Sequence, residues 1–293
     1  MRSNLLVVGG SGLVGRALLR RCAAAGVRPL ALTRAVAPPP DVADLADWQC
    51  AAGLDAWAAQ SAAGDAIQTL IGAGPLDVLA QWLAGTPLPR LRRVVALSST
   101  SVGSKPDSPD PAERDLARRL AQGEQRLVAA CERIGAGWTL LRPTLIWGEG
   151  RDHNISRLAA LARRHGRIVL PRFARGLRQP IRADDVAAAL LAALSRPQSQ
   201  GHCLDLPGGE TLPYHGMVAR IAAALSPPAR VWRLPLPASA IGIAARLRLV
   251  SAPTAAVLLR MRRDLVFDPR PAADLLGVTP AGFQPRHEDF PEF

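Results

Sequence analysis

Tyrosine and lysine are almost missing from this chain of 293 residues: Tyr214 is the only tyrosine and Lys105 the only lysine. Chemistry that needs a Tyr-x-x-x-Lys pair on one helix is excluded, whatever the fold. Aromatic residues make up only 4%, and the four cysteines, Cys22, Cys50, Cys131 and Cys203, lie far apart with no C-x-x-C spacing. That spacing argues against a zinc site or a disulfide framework, and the cysteines read as reduced core thiols. No uncharged run approaches the roughly 20 residues of a membrane-spanning helix; Leu234 to Ala245 covers 12 and holds two prolines. Met1-Arg2-Ser3-Asn4 leads straight into an apolar segment without a signal-peptide cleavage pattern, so the cytoplasm is the expected location.

Arginine, by contrast, is abundant: 35 of the 36 basic residues, against 24 acidic ones, for a net charge of +12. A basic surface attracts phosphate backbones. Here the arginines fall in scattered pairs (Arg20-Arg21, Arg92-Arg93, Arg118-Arg119, Arg163-Arg164, Arg262-Arg263) with no nucleic-acid motif among them. Dispersed charge of this kind is a solvated surface or a pocket for a small anionic ligand, and it argues against a nucleic-acid partner.

Short apolar runs alternate with helical patterns over the first two hundred residues, the rhythm of βαβ units in a parallel sheet. Strands are predicted at Leu5–Val8, Pro29–Thr33, Trp48–Cys50, Ala66–Ile71, Val94–Ser98, Trp138–Arg142, near Ile168–Leu170 and at His202–Leu206. Helices are predicted at about Leu13–Ala25, Pro111–Arg133, Asn154–His165, Arg182–Leu194, Tyr214–Leu225, Ala238–Leu249 and Thr254–Arg262. The pattern implies an α/β, Rossmann-type doubly wound parallel sheet with a smaller C-terminal, substrate-side domain. Residues 1–148 with about 178–206 form the first unit; about 149–177 with 207–293 form the second.

Gly9-Gly10-Ser11-Gly12-Leu13-Val14-Gly15 lies between the first strand and the first helix. Glycines there permit a tight turn and let backbone N–H groups and the helix N-terminus approach a pyrophosphate. Three further segments follow in order: Ser98-Ser99-Thr100-Ser101-Val102-Gly103, Leu141-Arg142-Pro143-Thr144-Leu145-Ile146-Trp147-Gly148, and Arg178-Gln179-Pro180-Ile181-Arg182-Ala183-Asp184-Asp185-Val186. With these four motifs, over about residues 5 to 226, the chain resembles the extended, epimerase/dehydratase-like branch of the short-chain dehydrogenase/reductase superfamily.

The resemblance implies an NAD(P) site at Gly9, Ser11, Gly12, Leu13, Val14 and Gly15, with Gly72 passing the ribose and Ser98 and Pro143 lining the cofactor. At the end of the second strand, where NAD-preferring members place an acid, stand Thr33 and Arg34. A guanidinium there suits a 2′-phosphate, which favours NADP(H) and leaves NAD(H) open; Arg34 also reads as an ordinary surface arginine. The adenine-contacting Asp of the family is absent near Ala52.

Aligned on Gly123-Glu124, Leu116 and Leu120 occupy the positions of the family's Tyr and Lys, and both are inert. Ser99 matches the family's catalytic Ser, as a substrate-orienting hydroxyl or as a strand-end cap. Glu149, Asp152 and His153 are ionisable groups in the loop after the Arg-Pro segment, and the resemblance makes His153 a candidate proton carrier. The resemblance implies ligand contacts for Asn154 and Arg178, the latter either on a substrate anion or in an ion pair with Asp184 or Asp185. Two readings stand: an NADP(H)-dependent oxidoreductase or epimerase-like enzyme acting on a nucleotide sugar or other anionic carbonyl compound, or a dinucleotide-binding sensor or scaffold. NmrA-type regulators and the accessory NAD(P)-binding subunit of respiratory complex I resemble the second.

Overall fold

The computed structural model describes residues 4–60, 66–239 and 258–291. The strands are β1 (Leu5–Val8), β2 (Leu30–Thr33), β3 (Asp47–Cys50), β4 (Thr69–Gly72), β5 (Arg93–Leu97), β6 (Gly137–Pro143), β7 (Ile146–Trp147), β8 (Arg167–Pro171), β9 (Leu177–Arg178), β10 (Ile181–Arg182), β11 (His202–Leu206), β12 (Leu212–Pro213) and β13 (Arg230–Leu234). The helices are α1 (Leu13–Ala24), α2 (Leu54–Gln60), α3 (Leu76–Gly85), α4 (Ser101–Ser104), α5 (Pro111–Ile134), α6 (Ile155–His165), α7 (Ala183–Ser195), α8 (Tyr214–Ala223) and α9 (Arg270–Leu276).

Seven strands form one parallel sheet in the order β11-β6-β5-β4-β1-β2-β3. Every residue of β1 and β5 is buried, as a sheet covered on both faces requires. Val7, Ile71, Val95, Leu141 and Leu204 face α1 and α7. Leu6, Leu70, Val94, Ala96 and Leu140 face α3 and α5. The strand order reverses between β1 and β4, so a crevice opens there at the strands' carboxyl ends, which is where such sheets hold ligands. A third apolar cluster, around Trp147, Ile155, Met217 and Phe283, packs α6 and α8 against β7 and β8.

Short amphipathic elements escaped the sequence reading. Arg230–Leu234 pairs with Arg167–Pro171 as a second small parallel ladder, and α3 and α9 were not foreseen. The predicted helix Ala238–Leu249 and the first half of Thr254–Arg262 lie largely outside the described residues. The cysteines need a correction: Cys22 and Cys131 are buried, but Cys50 and Cys203 are exposed. The exposed pair sits on β3 and β11, the two edges of the sheet, where one side of the strand has no neighbour.

Helix α5 is fastened to the sheet by charge as well as by apolar packing. Arg142, one residue before the end of β6, donates through Nε and Nη2 to the Glu124 carboxylate, which is almost fully buried. The Ser98 hydroxyl donates to the same carboxylate from the end of β5. The hydrogen bond to Glu124 raises the Arg142 pKa above its ordinary value. Removing one member of such a pair strands the other in a poorly solvated place. Arg142→Met is therefore expected to lower unfolding stability by about 3 kcal/mol, while Arg142→Met combined with Glu124→Leu costs less than either single change; urea denaturation in a double-mutant cycle checks both.

Candidate functional site

The glycine turn is built for close approach. Gly9 has φ +87°, and a Cβ there would stand 2.7 Å from the Ala73 carbonyl carbon at the end of β4. A Cβ on Gly15 would overlap the Gly9 carbonyl oxygen and lie 2.6 Å from Gly10 Cα. The first turn of α1 can thus rest directly on the loop.

Helix α1 is N-capped by Gly12, which offers no side chain, and no acidic residue stands in its first turn. By contrast α5 is capped by Asp110, which accepts from the Ala112 N–H. The N–H groups of Leu13, Val14 and Gly15 belong to the first turn, which lacks intrahelical partners and carries partial positive charge. Such a cradle fits a dinucleotide's pyrophosphate. Arg16 donates to the Ser11 carbonyl at 2.9 Å and pairs with Asp41, so the loop is braced from behind.

Thr33, buried at the end of β2, accepts from the Ala35 N–H at 3.2 Å, which closes the turn. Arg34 follows, exposed and with no hydrogen-bond or ion-pair partner among the described residues. Gly72 ends β4, where a Cβ would overlap Leu79 Cδ2, so it lets α3 pack whatever else it does. Pro143 is buried at the end of β6, its carbonyl accepting from Thr100 N at 3.3 Å. Topology therefore gathers the loop, Thr33, Arg34, Gly72, Ser98, Ser99 and Pro143 at the carboxyl edge of the sheet.

Other candidates are already engaged. Ser98 binds Glu124, and Ser99 accepts from Ser101 N at 3.1 Å, a strand-end role that leaves its own proton available. Asp152 is the cap of α6, its Oδ1 accepting from Asn154 N at 3.0 Å and Ser156 N at 3.0 Å. Glu149 pairs with Arg20. His153 and Asn154 are exposed, and Asn154 holds the N-cap position of α6.

Arg178 does not form the alternative ion pair with Asp184 or Asp185. Its Nη1 donates to the Leu177 and Arg263 carbonyls at 2.8 and 2.7 Å, and its Nη2 to the Arg260 carbonyl at 2.9 Å. The guanidinium also lies 5.3 Å over the ring of Tyr214. Asp184 instead pairs with Arg21, and Asp185 accepts from Ala281 N at 3.1 Å. Arg178 is thus the brace of residues 260–263, and burial pushes its pKa down. The only tyrosine is part of the same stack, with burial raising its pKa.

Leu116 and Leu120 are half-buried on α5, beside a group that carries no motif: Lys105, Ser108, Glu113 and Arg260. Only the rarity of lysine marked it in the sequence; Arg260 comes from a segment remote in the chain.

The whole chain is built like known proteins. It is 26% identical over 241 residues to an NAD(P)H azoreductase of Xenophilus azovorans, covering 77% of this chain and 75% of that one. Two solved structures match it at low identity. The epimerase Mth375 of Methanothermobacter thermautotrophicus has a TM-score of 0.70 at 15% identity, covering 97% of this chain and 89% of that one. The UDP-glucuronic acid 4-epimerase of Bacillus cereus, in complex with UDP-glucuronic acid and NAD, has a TM-score of 0.66 at 13% identity, covering 96% and 95%. The NAD dependent epimerase/dehydratase pattern runs from residue 5 to residue 205, from β1 into β11, through the glycine cradle and every strand that positions it; this chain is a member of that family.

Proposed function

We propose that this protein binds NADP(H) in preference to NAD(H) and acts on a nucleotide-sugar-like or other anionic carbonyl ligand through a non-standard catalytic site. The observation that carries the cofactor choice is Arg34, a cation with no partner among the described residues, directly after β2 and within the same strand-end row as the uncapped α1 N-terminus. A ribose 2′-phosphate needs a fork of donors there, and an acid would repel it. The azoreductase relative is named for NAD(P)H, a name that covers both nucleotides. The ligand class is suggested by the Bacillus cereus epimerase, whose structure holds UDP-glucuronic acid.

In this reading Gly9, Gly12, Leu13, Val14 and Gly15 hold the pyrophosphate, Gly72 and Pro143 border the nicotinamide half, and Ser99 orients the ligand. Residues 149–177 and 207–293 form the ligand-side unit, with Asn154 and His153 at its edge. A bound nicotinamide would supply hydride chemistry; the chain itself binds, orients and manages protons. A second reading, dinucleotide binding without turnover, is favoured by Leu116 and Leu120, which leave the usual proton donor and its partner without a replacement at those positions.

Titration of NADPH and NADH by nicotinamide fluorescence, followed by a screen for cofactor oxidation with carbonyl compounds and nucleotide sugars, separates the two. Binding of NADPH with turnover supports the first reading, and tight binding with none supports the second. Arg34→Asp is expected to weaken NADPH by about thirtyfold, about 2 kcal/mol, and NADH by far less; equal losses would refute the 2′-phosphate role. Gly12→Asp puts a good N-cap at φ −76°, so the melting temperature holds or rises while both cofactors bind about tenfold more weakly.

A further inference from the structure

The face of α5 that presents Leu116 and Leu120 continues one turn toward the helix N-terminus at Glu113, three residues before Leu116, the spacing of same-face neighbours. The Glu113 carboxylate gathers three donors from two segments. Ser108 Oγ lies at 2.7 Å, Lys105 Nζ at 3.5 Å, and the Arg260 guanidinium forms an ion pair with it. These groups are poorly exposed, at 14% for the Glu113 side chain, 23% for Lys105 and 28% for Arg260. Lys105 stands at the C-cap of α4, the short helix that follows β5 and Ser99. It therefore sits at the carboxyl end of the sheet, on the side of α5 where the family's missing hydroxyl would act.

We propose that Lys105 is the ligand-contacting acid–base residue of this protein, exchanging a proton with a carbonyl or hydroxyl oxygen of the ligand, with Glu113 and Arg260 as positioning residues. The inference rests on the ligand reading above. In the exchange an N–H bond of the Lys105 ammonium breaks as an O–H bond forms on the ligand, and the amine regains its proton from water; the reverse exchange deprotonates a ligand hydroxyl.

The surroundings suit that work. A lysine serves as acid and base only when its pKa falls toward the working pH. Burial lowers it here, and the like charge of Arg260 lowers it further, while Asp110 opposes both. Glu113 holds the ammonium in place and, as an opposite charge at 3.5 Å, opposes the lowering together with Asp110. Next on α5, Arg114 donates to the Ser108 carbonyl at 2.7 Å, and Asp115 pairs with Arg118 and Arg119.

The presence of only one lysine makes the test direct. Reductive methylation of the full-length protein with ¹³C-formaldehyde yields a single side-chain signal besides the terminal amine, and its shift is followed against pH. The midpoint is expected below the ordinary 10.5, higher in Arg260→Met and lower in Asp110→Asn. With NADP⁺ present, UDP-glucuronic acid or UDP-glucose at about ten times its Kd should slow methylation about tenfold. Protection by both sugars places Lys105 on the shared part of the ligand, and protection by UDP-glucuronic acid alone places it on the carboxylate-bearing end; either supports the proposal. A midpoint at or above 10.5, or unchanged methylation when both sugars bind calorimetrically, overturns it. Lack of NADPH fluorescence binding would instead defeat the cofactor reading, and the Lys105 midpoint would still decide this one.

Discussion

The contact between the first turn of α1 and the glycine turn beneath it governs the rest of this structure. Gly15 lies against the Gly9 carbonyl with no room for a side chain on either residue. Because the helix sits that low, its N-terminus points at the switch between β1 and β4, and its far end reaches Asp184 on α7 through Arg21. A bulkier residue at either position would lift the helix from the sheet and open the crevice. The cradle is thus a consequence of packing, and its positive character follows from leaving that helix without a side-chain cap.

Around this frame, α5 presents Leu116 and Leu120 part-buried, and its polar groups lie above and below them. Glu124 binds Arg142 and Ser98 to hold the helix on the sheet. Glu113 gathers Lys105, Ser108 and Arg260. Lys105 stands at the C-cap of α4, in a place where burial and a neighbouring guanidinium depress its pKa.

Legibility in the sequence followed the range of the forces involved. The inner strands β1, β2 and β5 are mostly apolar runs, so their positions could be read within a few residues, and the glycine loop is a local backbone requirement. The edge ladder of β8 with β13 was half visible, because β13 alternates exposed and part-buried residues and has little apolar signature. The exposure of Cys50 and Cys203 depends on which strands end the sheet, a property of strand order that no local pattern contains. Arg178 was readable as an important arginine, yet its partners are carbonyls more than eighty residues away.

By itself the sequence determined the class of fold, the cradle for a dinucleotide and the loss of the family's catalytic pair, because each depends on residues adjacent in the chain or on a residue type being absent. Only the tertiary structure decided which charged groups gather near the N-terminus of α5. Lys105, Glu113 and Arg260 meet because β5 delivers α4 to the same edge as the N-terminus of α5, while Arg178 holds the 260–263 segment against it. Charges separated along the chain become a single electrostatic unit only when folding removes the water between them.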